Sequence, residues 1–157
     1  MKHFISRRNF LKAAGVTAAA SAMAAAVPQA SAGFLTGKDA AVTILYTNDV
    51  HTYIDNKSPK LTYAAIAAMK QGYVDEGKPV LLVDAGDHIQ GTAYGSMDNG
   101  ATIIELMNEA GYDIATLGNH EFDYGMARAK AIIKEADFPY VSCNWVDLRT
   151  GLRVLPA

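Results

Sequence analysis

Tyr112-Asp113-Ile114-Ala115-Thr116-Leu117 runs directly into Gly118-Asn119-His120-Glu121-Phe122-Asp123, and helical spacing resumes at about Gly125. The first six residues read as a short, largely apolar strand, and the next six hold polar groups at its carboxyl end. In a chain of alternating strands and helices, this is the edge at which open α/β sheets place their chemistry. Asn119 offers an amide oxygen that can ligate a metal, and His120 offers an imidazole that can carry a proton. Asp123, three residues on, is a carboxylate able to orient that ring.

Working outward, the alternation continues in both directions. Ala41 to Thr47 and Pro79 to Val83 read as fully buried strands, and Pro139 to Cys143 as a fourth strand with Cys143 a small buried thiol. Pro59 to Glu76 reads as a helix, with Leu61, Ala64, Ala65, Ala68 and Met69 spaced to form its apolar face. A second helix, Ala101 to Ala110, turns Ile103, Met107 and Ala110 to the sheet. A third, about Gly125 to Ala136, presents Met126, Ala129, Ile133 and Ala136, and Leu148 to Leu155 reads as a hairpin. Right-handed crossovers then make the strands parallel and gather the polar turns on one edge, which is an α/β architecture.

Two more polar turns reach that edge. In Asn48-Asp49-Val50-His51, residues two apart on an extended chain share a side, so Asp49 and His51 can present a carboxylate and an imidazole together. Taken alone, the pair reads equally as a turn aspartate beside a surface histidine. Asp84 to Gly91 is a turn rich in carboxylate and glycine that adds Asp87, with Asp84 expected to brace it and Gln90 and Gly91 to shape it. His88 is expected at the surface or behind the ligands, and Asn144 is expected to support the edge from the fourth strand.

The amino terminus belongs to a different system. Met1 to Lys12 carries Lys2, Arg7, Arg8 and Lys12 with no acid, Ala13 to Val27 is alanine-dominated, and Ala30-Ser31-Ala32 forms a small-residue cleavage site. Residues 1–32 thus form an export signal, 33–40 a polar linker and 41–157 the folded part. No stretch has the run of strongly apolar residues that stable membrane insertion needs. Ser6-Arg7-Arg8-Asn9-Phe10-Leu11-Lys12 resembles the twin-arginine export motif, which implies the twin-arginine translocase as a partner, a periplasmic or otherwise exported location, and folding before transport. All 16 acidic residues follow the signal, whereas four of the 14 Lys plus Arg lie within it. That acidic balance argues against a nucleic-acid polymer as ligand and suits a carboxylate site that a cation neutralises. A single cysteine excludes an intramolecular disulfide.

Asn48-Asp49-x-His51, Gly86-Asp87-x-x-Gln90-Gly91 and Gly118-Asn119-His120-Glu121-Phe122-Asp123 together resemble the metallophosphoesterase motifs of the 5'-nucleotidase family. The resemblance spans about Ala41 to Trp145 and implies the N-terminal half of an αββα sandwich, with a largely parallel sheet and metals at the strand ends. It implies two divalent ions, Zn, Mn, Fe or Co, with Asp49 and His51 on one, Asp87 bridging and Asn119 on the other. It makes His120 the catalytic imidazole and Asp123 its partner, with metal-activated hydroxide attacking a nucleotide or related phosphoester. Two alternatives stand beside it: a thiosulfohydrolase of similar fold, and an inactive truncated exported protein that binds metal weakly. The chain departs from the family pattern at Thr52, where glycine is common after the first histidine. It also contains only His51, His88 and His120 after the signal, while the family draws further histidine ligands from a C-terminal remainder and adds a nucleotide-binding domain.

Overall fold

The structure, a computed structural model, describes residues 41–54 and 62–157. The export signal, residues 33–40, and the expected helix start at Pro59 and Leu61 lie outside the described residues. In chain order the elements are β1 (Thr43–Thr47), α1 (Tyr63–Asp75), β2 (Val80–Asp84), α2 (Ala93–Ser96), α3 (Ala101–Ala110), β3 (Ile114–Ala115), a 3-10 turn (His120–Phe122) and α4 (Met126–Glu135). The strands form one parallel sheet in the order β1-β2-β3, with Thr47 opposite Asp84 and Asp84 opposite Ala115. Because the strands point the same way, the loops after all three lie along one edge, as the alternation predicts. The expected fourth strand is reduced to one parallel bridge from Ala115 to Tyr140, and the hairpin to one antiparallel bridge from Val146 to Arg153.

Helix α3 packs as its spacing predicts. Ile103, Ile104 and Met107 are fully buried, at about 1.5–3 kcal/mol each. Gly111 ends the helix in the left-handed region, φ 80, where its N–H reaches Met107 O at 3.1 Å.

Four expectations are corrected. Helix α1 buries Tyr63, Ile66 and Lys70, leaving Ala64, Ala65, Ala68 and Met69 exposed, because an alanine stripe has little area to remove from water. Lys70 is held inward by donating to Gly111 O at 2.6 Å and pairing with the Asp113 carboxylate, which also accepts the Leu82 N–H at 2.8 Å. In α4, Ala129 is buried as expected, and Ala136 just past its end, but Ile132 rather than Ile133 is the fully buried isoleucine and Met126 is exposed. Strands β1 and β2 are not fully buried: Ile44 is 61%, Tyr46 74% and Leu81 42% exposed, since among the described residues the face they share is left open, while Leu82 on the other face is fully buried. Cys143 is also exposed, because the chain leaves the sheet after the single bridge at Tyr140.

Candidate metal centre

The loop after the central strand is organised from beneath by Asp84. Its Oδ1 accepts the Gly86 N–H at 2.8 Å and the His88 Nδ1–H at 2.7 Å, and its Oδ2 accepts the Thr47 hydroxyl at 2.5 Å. Asp84 therefore braces the turn, as its position suggested. His88 lies wholly inside the protein, its Nε2 meeting the Tyr140 hydroxyl at 2.7 Å. Burial opposes charge on this imidazole, but the hydrogen bond to Asp84 and the nearby Glu121 and Asp87 outweigh it and hold its pKa above the ordinary value.

Asp87 follows with φ 58, in the left-handed region. Its Oδ1 accepts the His120 N–H at 2.8 Å, which ties the second loop to the third. The two backbones approach so closely that a Cβ on Gly86 would meet the Gly118 N, and one on Gly118 would strike the Asp87 carboxylate. Glycine at both positions is a steric requirement.

Glu121 is the residue that sequence reasoning did not single out. Its fully buried carboxylate accepts four backbone N–H groups. Oε2 takes those of Asp87 at 2.8 Å and Gly118 at 2.6 Å, and Oε1 takes those of His88 at 2.9 Å and Ile89 at 3.3 Å. These dipoles replace the water that a buried anion loses. The available signal was an acid placed one residue after a histidine in a turn whose amides need acceptors.

The loop after β1 rides on the same central loop. Asp49 N–H donates to Gly86 O at 3.1 Å and His51 N–H to Asp87 O at 3.0 Å. Asp49 and His51 come together through a turn rather than an extended chain, since both are left-handed, φ 54 and 47. His51 Nδ1–H donates to Gln90 O at 3.0 Å, which leaves Nε2 free to bind, 3.5 Å from Asp49 Oδ1. A Cβ on Gly91 would collide with the His51 carbonyl.

His51, Asp87 and His120 each offer a donor atom, and these atoms all lie within 4.8 Å of one another. The rings of His51 and His120 meet edge to face with centroids 5.1 Å apart. His120 Nδ1–H donates to Asp123 Oδ2 at 2.7 Å, and this bond raises the imidazole pKa. Asn119 is exposed at the head of the 3-10 turn, its carbonyl accepting Phe122 N–H at 3.3 Å. Asn144 is also exposed, its Oδ1 accepting the Ser142 hydroxyl at 3.0 Å. A carboxylate and the His51 imidazole at this spacing fit a divalent first-row cation, with the His120 ring beside them.

The comparisons with known proteins agree with this chemistry. The profile described as calcineurin-like phosphoesterase matches residues 42–155, and the chain belongs to that family, whose members bind divalent metals. A twin-arginine translocation signal matches residues 5–27 and marks the chain for export across the cytoplasmic membrane. It is similar to the snake venom 5'-nucleotidase of Gloydius brevicauda, 40% identical over 114 residues, which are 66% of this chain and 19% of that protein. It is 37% identical to the 5'-nucleotidase of Homo sapiens over 66% of this chain and 20% of that one. Among solved structures, the 5'-nucleotidase precursor of Thermus thermophilus superposes with a TM-score of 0.60 at 32% identity, covering 66% of this chain and 22% of the other. The calcineurin-like phosphoesterase YfkN of Bacillus subtilis does so at 0.60 and 35%, covering 73% and 40%. The chain spans about a fifth of the length of the curated relatives named here. Among the described residues, no helix is long and apolar enough to cross a membrane.

Proposed function

We propose that the protein is an exported phosphohydrolase that cleaves phosphate esters of nucleotides with the help of two divalent ions. One observation carries the reading: His51, Asp87 and His120 come from three separate loops and converge at the carboxyl edge of the sheet. The 5'-nucleotidases among its relatives support the substrate class. Asp49 and His51 would hold one ion, Asp87 would bridge and Asn119 would reach the other. Bound there, such ions supply Lewis-acid polarisation of a phosphoryl oxygen and a nucleophile at neutral pH. His120, its Nδ1–H fixed on Asp123, presents Nε2 to the reacting phosphoryl group and stabilises the charge that builds in the transition state. Asp123 keeps that ring in one tautomer.

The test is elemental analysis of the purified full-length protein together with steady-state hydrolysis of a 5'-nucleotide, before and after chelation. Two ions per molecule and a chelator-sensitive, metal-restored phosphatase activity are expected. A protein that hydrolyses 5'-nucleotides equally well after complete metal removal refutes the mechanism. A metal-loaded protein without phosphatase activity refutes the substrate class and turns attention to the sulfur chemistry of the sulfate thiohydrolase SoxB, whose likeness here, at 24% identity, shows the fold alone.

A further inference from the structure

Thr52, next to His51, is fully buried and has φ 57, a conformation that a β-branched residue rarely adopts. It faces Thr92, 40 residues on, at the end of the loop that carries Asp87. Thr92 N–H donates to Thr52 Oγ1 at 2.7 Å and Thr92 Oγ1–H to Thr52 O at 3.0 Å. The Thr92 proton is thereby committed, so the remaining contact, 2.7 Å between the hydroxyls, is a bond from Thr52 Oγ1–H to Thr92 Oγ1. Three bonds thus join two residues reciprocally. Gly95 closes the far side, because a Cβ there would strike Thr52 Cγ2.

From this geometry we infer that Thr52 and Thr92 are positioning residues for His51, a clasp that fixes its backbone in the left-handed turn and so its ring on Gln90 O. Serine or glycine would sit at position 52 with less backbone conflict, and the threonine here offsets that conflict with the contacts its hydroxyl and methyl make. The clasp lies between His51 and the loop that supplies its Nδ1–H acceptor, Gln90, two residues before Thr92. When it opens, the bond from His51 Nδ1–H to Gln90 O is the side-chain link left to hold the ring, and the imidazole is less confined to the tautomer whose Nε2 lone pair points into the site. Such a role for His51 rests on the proposed metal-dependent reading. The clasp itself rests only on the hydrogen bonds.

The experiment uses the full-length protein and four variants, Thr52→Val, Thr52→Gly, Thr52→Ser and Thr92→Val, with His51→Ala as control. Long-range nitrogen–proton NMR on the metal-free protein reads the His51 tautomer directly, and calorimetric titration with Mn2+ alone reads metal binding. Wild type and Thr52→Ser should show the Nδ1–H tautomer. Thr52→Val, Thr52→Gly and Thr92→Val should shift toward Nε2–H and bind Mn2+ about 10-fold to 100-fold more weakly, as removal of a ligand's supporting group does. Thr52→Gly separates the clasp from backbone strain, since it relaxes the backbone yet removes the hydroxyl. An unchanged tautomer in folded Thr52→Val and Thr92→Val overturns the clasp. So does weakened Mn2+ binding confined to Thr52→Val and absent in Thr92→Val. A shifted tautomer with unaltered Mn2+ binding in His51→Ala upholds the clasp and defeats the assignment of His51 as a ligand.

Discussion

Replacing Glu121 with glutamine changes one atom and removes half of an acceptor set. The carboxylate receives four N–H groups, two on each oxygen, and the amide that replaces it can place its carbonyl toward only one pair while turning its own N–H groups on the other. Two buried bonds to a charged acceptor are lost, at about 1.5–3 kcal/mol each, so about 3–6 kcal/mol is expected. The lower end is the better figure for the Gly118 side, because that residue is partly exposed and its N–H can turn to water. Against a domain stability of about 5–15 kcal/mol this is a large loss. Urea unfolding of the Glu121→Gln full-length protein, compared with Glu109→Gln at an exposed position of α3, measures it at constant m. Hydrogen exchange should localise the loss to the amides of Asp87 through Ile89 and Gly118. A Glu121→Gln protein within about 0.5 kcal/mol of wild type, the usual range of surface substitutions, would refute the view that this carboxylate holds the two loops together.

Asp87→Asn, by weakening the carboxylate proposed to bridge the two ions, should lose metal and activity together, as elemental analysis and 5'-nucleotide kinetics will show. His120→Ala should keep its metals and lose kcat on the order of 10²-fold or more; full activity, or loss of both ions, contradicts a catalytic role for that imidazole. Asp123→Asn should give a milder defect of the same kind, through a ring no longer held by the 2.7 Å bond. Arg7→Lys with Arg8→Lys should retain the precursor in the cytoplasm, and unchanged processing on fractionation would point to the general secretory route instead.

The strand and helix alternation, the parallel sheet and the gathering of three polar turns were legible because each rests on local signals. The bounds of helix α3 were read to the residue because glycines flank it, and its buried face was read except for Ile104. Helix α1 was not, because its burial is decided by two side chains whose partners are distant: Tyr63, packed edge to face with Tyr112, and Lys70, drawn to Asp113. Strand β1 misled for a related reason, as a β-rich run carries no mark of which face its neighbours cover. At the site, the chemical residues were visible as motif members, but the supports were not. Glu121, His88 and the Thr52–Thr92 pair act largely through backbone amides and hydroxyls 32 to 52 residues away, and no periodicity encodes such pairings.

The strand order β1-β2-β3 makes the site asymmetric with respect to error. The loop after β2 receives Asp49 and His51 on one side through Gly86 O and Asp87 O, and Gly118, His120 and Glu121 on the other. The outer loops meet each other mainly through the rings of His51 and His120. A displacement in either outer loop therefore stays on its own side, whereas one in residues 84–92 is passed to both at once. For anyone redesigning this centre, the outer loops are where ligands can be exchanged one at a time, and the middle loop is the ruler against which the others are set.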